Sequence, residues 1–152
     1  MYETLKDLKT EQAVCDALGW DTFKLDDLKF RVDRAVLDKE KRVGSVPRVN
    51  IFAEIKRRHN ESRKYKTLMI SYMKWIRLKA LAEYANVKSY LIIAFDDGIF
   101  QCNVGNVFPA ELSLGLGNRT CNFRNEKNDK EPCVYIPIHY FKKLVDLPET
   151  IQ

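Results

Sequence analysis

The chain has 152 residues, 45% of them hydrophobic and 31% charged, with 26 Lys+Arg against 21 Asp+Glu. That length and apolar content suit one domain, 1–152, with a sizeable core. The basic excess points to an acidic partner without choosing between nucleic acid, membrane surface and acidic protein.

No stretch approaches the ~18 consecutive apolar residues of a membrane span, and the amino-terminal MYETLKDLKTEQAV carries no apolar h-region. The expectation is a soluble, cytoplasmic protein with no membrane partner. Cys15, Cys102, Cys121 and Cys133 are scattered without a C-x-x-C pair, which reads as free thiols rather than a zinc site or a disulfide framework.

In chain order, residues 10–18 predict a first helix: Thr10 is a candidate N-cap, Ala13, Val14, Ala17 and Leu18 recur at helical spacing, and Gly19 stops the pattern. Residues 30–38 and 49–56 are rich in Val, Ile and Phe and flank the polar KEKRVGSVPR, whose Gly and Pro argue against a central strand. Together they predict an antiparallel hairpin with a long basic loop. Ser71 is a candidate cap for a second helix running to Asn86, with Leu78, Leu81, Ala82 and Ala85 as its apolar stripe and Lys74 extending that stripe towards the N-terminus.

The run YLIIAF, 90–95, predicts a buried strand, DDG a turn, and IFQCNV, 99–104, a hairpin partner. Residues 105–131 predict little regular structure, CVYIPI a last strand and HYFKKLV a short helix. The order predicts an α/β sandwich with a mixed sheet.

Strand alternation puts Asn50, Phe52, Glu54 and Lys56 on one face, with Val49, Ile51, Ala53 and Ile55 on the other. Asp33 interrupts the apolar FRVDRAVLD and, with the hairpin in register, stands near Glu54. Two carboxylates held close repel unless a proton or cation sits between them, and a hard divalent ion such as Mg²⁺ takes oxygen ligands of this kind. Lys56 would then orient or deprotonate a water, or neutralise charge building on a phosphate. Taken alone, E-x-K is equally a surface strand with an ion pair worth at most ~1 kcal/mol.

A helix carrying Glu11, a strand carrying Asp33, a hairpin return ending in Glu54-Ile55-Lys56, then a helix and a buried strand: this pattern resembles the PD-(D/E)XK nucleases of the restriction-endonuclease-like superfamily. FRVDRAVLD, IFAEIKRR, SYMKWIRLKALAEYA, LIIAFDDGIF and KEPCVYIPIHYFKKL are similar to its small phage-type members, so the resemblance spans residues 10–145. It implies a restriction-endonuclease-like core, a mixed β-sheet flanked by helices, in the cytoplasm of a host cell. It also implies Mg²⁺- or Mn²⁺-dependent hydrolysis of DNA phosphodiesters. Asp33 and Glu54 would be metal ligands with the Ile55 carbonyl as a third, Lys56 the catalytic lysine, Glu11 the acidic residue of the first helix and Lys74 the polar residue of the second. Val32 stands where the motif carries proline.

The bland readings stay beside these. Glu11 is equally a first-turn carboxylate favoured by the helix dipole, and Lys74 a lysine snorkelling from a packed helix. The run holding Arg57, Arg58, Arg63, Lys64 and Lys66 is either a solvated loop or a set of contacts to a nucleic-acid backbone. His59 and His139 have no nucleophile in a recognisable order, and no phosphate-binding G-x-x-x-x-G-K-[ST] occurs. The alternative to an enzyme is an inactive nucleic-acid- or partner-binding protein on the same fold. A homo-oligomer is compatible with either.

Overall fold

The computed structural model describes residues 4–118 and 130–152. Helix α1, Leu5–Ala17, starts earlier than expected because Thr4, not Thr10, caps it. The Thr4 hydroxyl accepts from the Asp7 N–H at 3.2 Å while the Asp7 carboxylate accepts from the Thr4 N–H at 3.0 Å, a reciprocal capping box. Thr10 lies inside the helix and donates to the Lys6 carbonyl at 3.0 Å. Gly19, at φ +65°, follows the helix end. The inward face buries Glu11, Val14 and Cys15.

Strand β1, Thr22–Lys24, and a single helical turn α2, Asp27–Phe30, precede β2, Arg34–Val43, and β3, Val46–Arg57. The segment expected as a long basic loop is therefore strand. β2 and β3 pair antiparallel up to Val43↔Val46 around Gly44-Ser45, with Gly44 at φ +61°. Pro47 is tolerated inside β3 because the strand on its other side, β5 (Lys88–Phe95), pairs only from Ile51 onwards, so no third strand needs an N–H at position 47. β1 likewise covers only Arg34 to Val36 of β2. Among the described residues the far half of the hairpin is a bare two-stranded ribbon.

Beyond β3 come β4 (Thr67–Ser71), α3 (Tyr72–Ala85), β5, β6 (Gly98–Asn103), β7 (Ser113–Asn118), β8 (Lys130–Pro137) and β9 (Lys142–Val145). One sheet has the order β1-β2-β3-β5-β6-β9, and a smaller one β4-β8-β7. β3 and β5 run parallel, joined by the β4–α3 crossover, and their neighbours are antiparallel, so the large sheet is mixed as expected.

β5 is apolar without alternation because both of its faces are covered. Leu91, Ile93 and Phe95 pack with Trp75 and Leu78 of α3 and with Ile70, Val134 and Ile136 of the small sheet. Tyr90, Ile92 and Ala94 pack on the other side with Val14 and Cys15 of α1 and Leu147. Each large aliphatic chain fully buried contributes about 1.5–3 kcal/mol, so these two clusters fix where α1 and α3 dock.

Three expectations are corrected. β7 lies within the segment expected to be irregular: its glycines permit close approach, and a Cβ at Gly117 would sit 2.6 Å from Cys133 Sγ and 2.9 Å from Met69 Sδ. HYFKKLV is a short 3₁₀ turn followed by β9 on the edge of β6, not a helix. Ser71 occupies the N-cap position of α3, yet its side chain makes no capping bond and donates to Glu131 at 3.3 Å.

Among the described residues no helix is long and apolar enough to cross a membrane. Cys15, Cys102 and Cys133 are free and buried, and burial pushes the Cys102 thiol up to about 12. Cys121 lies outside the described residues.

Gly98 closes the β5–β6 turn at φ +144°, and a Cβ there would lie 2.5 Å from Lys143 Cε and 2.8 Å from the Val145 carbonyl of β9. The lysine can swing away and the backbone oxygen cannot. Gly98→Ala is expected to lower the free energy of unfolding by about 2 kcal/mol, read by urea melts. An unchanged midpoint would contradict this geometry.

Candidate active site

Val32, fully buried, anchors the turn into β2 and leaves Asp33 at the strand's mouth, next to the Arg34↔Ala53 pair of the β2–β3 ladder. The Asp33 carboxylate accepts from the Ile55 N–H at 2.7 Å, which pins it beside β3. Ile55, named as a carbonyl ligand, contributes this backbone donor. Glu54 follows Phe52 on the face of β3 turned towards α3 and is fully buried. Lys56 lies 2.7 Å from Glu54 Oε1, and Lys74, from the first turn of α3, donates to the same oxygen. Its side chain is 10% exposed, so Lys74 does not snorkel. The other oxygen, Oε2, is buried with no hydrogen-bond partner.

Glu11 reaches the same neighbourhood indirectly. Lys24 of β1 lies 3.0 Å from Glu11 and 3.7 Å from Asp33 Oδ1, and Arg34 Nε lies 3.2 Å from Glu11. Lys24 and Arg34 are the charged residues that the sequence reading missed. Lys24 sits in a three-residue strand, too short to show a period, and Arg34 is hidden by its position next to Asp33.

The charges set the protonation states. Burial pushes the Glu54 carboxyl above its ordinary value, aided by Asp33 and opposed by Lys56 and Lys74. Burial alone would lower Lys56, but Glu54 and Asp33 outweigh it and hold the ammonium above its ordinary value. Lys56 is thus a cation at neutral pH. In that state it can orient or neutralise an anion.

The donor set suits a hard divalent ion. Mg²⁺ commonly takes one or two protein carboxylates and keeps water or phosphate oxygens as its remaining ligands. Glu54 Oε2 lacks a partner, and the closest cation to Asp33 Oδ1 among the described residues is Lys24 at 3.7 Å. Those two oxygens are the ones that would hold the ion. Among the described residues no group of three or more His, Cys, Asp or Glu gathers into a denser metal site.

The basic run after Lys56 divides into two parts. Arg57 donates to the Ala94 carbonyl at 3.0 Å and pairs with Asp96 at 2.6 Å, while Arg58 donates to the Met69 carbonyl at 3.1 Å. Both guanidiniums bind the protein itself. Asp97 accepts from the Ser62 N–H at 2.8 Å and its hydroxyl at 2.6 Å, and the Asp96 N–H donates to the Asn60 carbonyl at 3.0 Å. Asp96-Asp97-Gly98, expected as a simple hairpin turn, is also the clamp that fixes this segment. Arg63, Lys64 and Lys66 are exposed on its outer side.

The fold is that of a restriction-endonuclease-like domain. A family profile described as "Phage putative PDDEXK endonuclease" matches residues 1–144, and the chain belongs to that family. Two solved structures share the restriction-endonuclease-like fold. One is Hjc, a Holliday junction resolvase from Archaeoglobus fulgidus, with TM-score 0.51, 13% identity and 90% of each chain covered. The other is D212, a nuclease from a fusselovirus, with TM-score 0.55, 13% identity, 95% of this chain and 90% of that one covered. Among curated proteins no sequence match is found.

The Asp97 clamp makes a pH prediction. Burial would raise the Asp97 carboxyl, but the Ser62 hydroxyl and N–H outweigh it and hold it below the ordinary 3.8. The folded value lies below the unfolded one, so its stabilisation is present above pH 3.8 and lost as pH falls through the folded value. Asp97→Asn should therefore be less stable than the parent at neutral pH, with the difference shrinking below pH 3.8 in urea titrations. A difference that persists unchanged in acid would show that charge on Asp97 is irrelevant.

Proposed function

We propose that the protein is a Mg²⁺-dependent nuclease that hydrolyses DNA phosphodiesters, with Mn²⁺ able to replace Mg²⁺. The observation that carries this is Asp33, pinned on the Ile55 N–H, beside a buried Glu54 whose Oε2 has no partner and whose Oε1 meets Lys56. Family membership and the nuclease relatives of the same fold support it.

When bound, the ion would neutralise the carboxylates and polarise the phosphate in favour of attack by water. Asp33 and Glu54 hold it. The Ile55 N–H fixes the orientation of Asp33 at 2.7 Å. Lys74 grips the buried oxygen of Glu54, which leaves Oε2 for coordination, and Lys56, kept protonated by both carboxylates, offers its ammonium to charge building on a phosphoryl oxygen. Lys24 bridges Asp33 and Glu11 and ties α1 to the site. Exposed Arg63, Lys64 and Lys66 lie along the same segment as backbone contacts.

One observation favours a second reading, a nucleic-acid-binding protein without turnover. Lys56 and Lys74 both sit on Glu54 Oε1, so the buried charge is already balanced without an ion. Calorimetric titration with Mg²⁺ beside a cleavage assay separates the two. Asp33→Asn and Glu54→Gln are expected to lose ion binding and to lower cleavage by at least about a hundredfold. Lys56→Ala should keep ion binding and lose turnover, because a protonated amine is no ligand. Absence of both ion binding and cleavage in the parent would leave the binding protein.

The exposed cations make a separate prediction. Replacing Arg63, Lys64 and Lys66 by Ala should weaken DNA binding for all sequences alike. The slope of log affinity against log salt should flatten by about one unit per lost contact. A slope equal to the parent's would remove these residues from the interface.

A further inference from the structure

Past the end of β3 the chain opens into a cleft of about 330 Å³ whose lining includes Arg58, Asn60, Tyr65, Thr67, Phe95 and Tyr135. Side chains two residues apart on one strand face are ~6.6 Å apart along the chain, so Arg58 lies one such step past Lys56. The Arg58 N–H still extends the β3–β5 ladder, donating to Ala94 at 3.0 Å. The cleft is therefore next to the carboxylate site and separate from it.

Its chemistry is specific. Arg58 has one protein partner, the Met69 carbonyl, and among the described residues no carboxylate faces it. Burial lowers its pKa with nothing acting in the other direction. A desolvated guanidinium without a counter-anion is a place for a ligand's negative charge. Three aromatic rings stand in the walls beside the apolar Leu68, Met69 and Ile138. Phe95 is held edge-on to Phe100 at 5.4 Å, and the Tyr135 ring lies across Gly115, where an added Cβ would approach its Cε2 to 3.1 Å. Tyr65 stands at the mouth, 59% exposed, with the Lys64 ammonium 5.3 Å from its ring centroid. The clamps between Ser62 and Asp97 and between Asn60 and Asp96 fix the loop that forms one wall, so little ordering is left for a ligand to impose.

One guanidinium, several rings and neutral polar groups are the complement of one nucleotide: a phosphate, a base face and base edges. The volume is at the lower end of small-ligand sites, enough for one nucleotide and too small for a base pair with its backbone. We propose that this cleft holds a single unpaired nucleotide flanking the scissile phosphate, its base against Tyr65 and Tyr135 and its phosphate at Arg58. The inference rests on the nuclease reading for its biological meaning. It makes the preferred substrate DNA with an unpaired nucleotide beside the cut, rather than continuous duplex.

The test needs no turnover. The parent, Tyr65→Ala, Tyr65→Phe and Arg58→Met are titrated in EDTA with thymidine monophosphate and, separately, with inorganic phosphate. The parent is expected to bind the nucleotide at least about tenfold more tightly than phosphate. Tyr65→Ala should lose about that factor for the nucleotide only, Tyr65→Phe should restore it, and Arg58→Met should weaken both ligands. Tyr65 is exposed, so its variants test the cleft even where Arg58→Met fails to fold.

Equal affinity for nucleotide and phosphate, or an unchanged nucleotide affinity in Tyr65→Ala, overturns the proposal. Cleavage of a duplex with an unpaired flank and of a continuous duplex is measured alongside. A protein that cuts DNA but does not bind the nucleotide removes the cleft and keeps the nuclease. A protein that binds the nucleotide through Tyr65 and cuts nothing keeps the cleft and removes the nuclease.

Discussion

A fully buried carboxylate in a central strand is the constraint around which this molecule is arranged. Removing an ionised group such as Glu54 from water costs several kcal/mol, and only close cations offset it. Lys56 comes from the same strand and face. Lys74 has to be delivered from elsewhere, and the β4–α3 unit delivers it: β4 pairs with β8, α3 begins at the next residue, and its first turn then lies over Glu54. The small sheet serves the site by fixing where that helix starts.

The same economy operates at the entrance to β2. Asp33 could stand beside Glu54 only with its own charge managed, and a backbone N–H together with Lys24 does so. Lys24 is in turn shared with Glu11, and Arg34 secures Glu11 from the other side. In the described residues carboxylates from α1, from the entrance to β2 and from β3 thus interleave with cations from β1, β2, β3 and α3. Such alternation holds several like charges close without mutual repulsion, and it links the docking of α1 to the geometry around Asp33.

How much of this was legible follows from what a local pattern can carry. Two-residue alternation in VNIFAEIK placed Glu54 and Lys56 on one face, and the hairpin order brought Asp33 towards them. The helical stripe through Leu78 carried Lys74 to the core side. Misreadings arose where composition and conformation part. KEKRVGSVPR looks like loop because Gly and Pro usually exclude a strand, but an edge without a third strand tolerates both. Gly115 and Gly117 were read as irregular, whereas they make room for Tyr135 and Cys133 in a ladder. KKLV is too short to separate a period of 2 from one of 3.6. Arg57 and Arg58 are visible in the sequence by their charge, whereas their contacts to the Ala94 and Met69 carbonyls are not.

The bare ribbon formed by the far halves of β2 and β3 has a consequence for how copies of the chain behave in a crowded solution. Among the described residues its strands have, beyond Asp38 and before Ile51, outer edges with no neighbour, each an open template for another strand. The register slips between Asp38 and Arg42, Pro47 removes a donor, and Lys39, Lys41, Arg42 and Arg48 repel a second ribbon. The residues that made this stretch look like a loop are of the kinds that oppose edge-to-edge pairing between molecules.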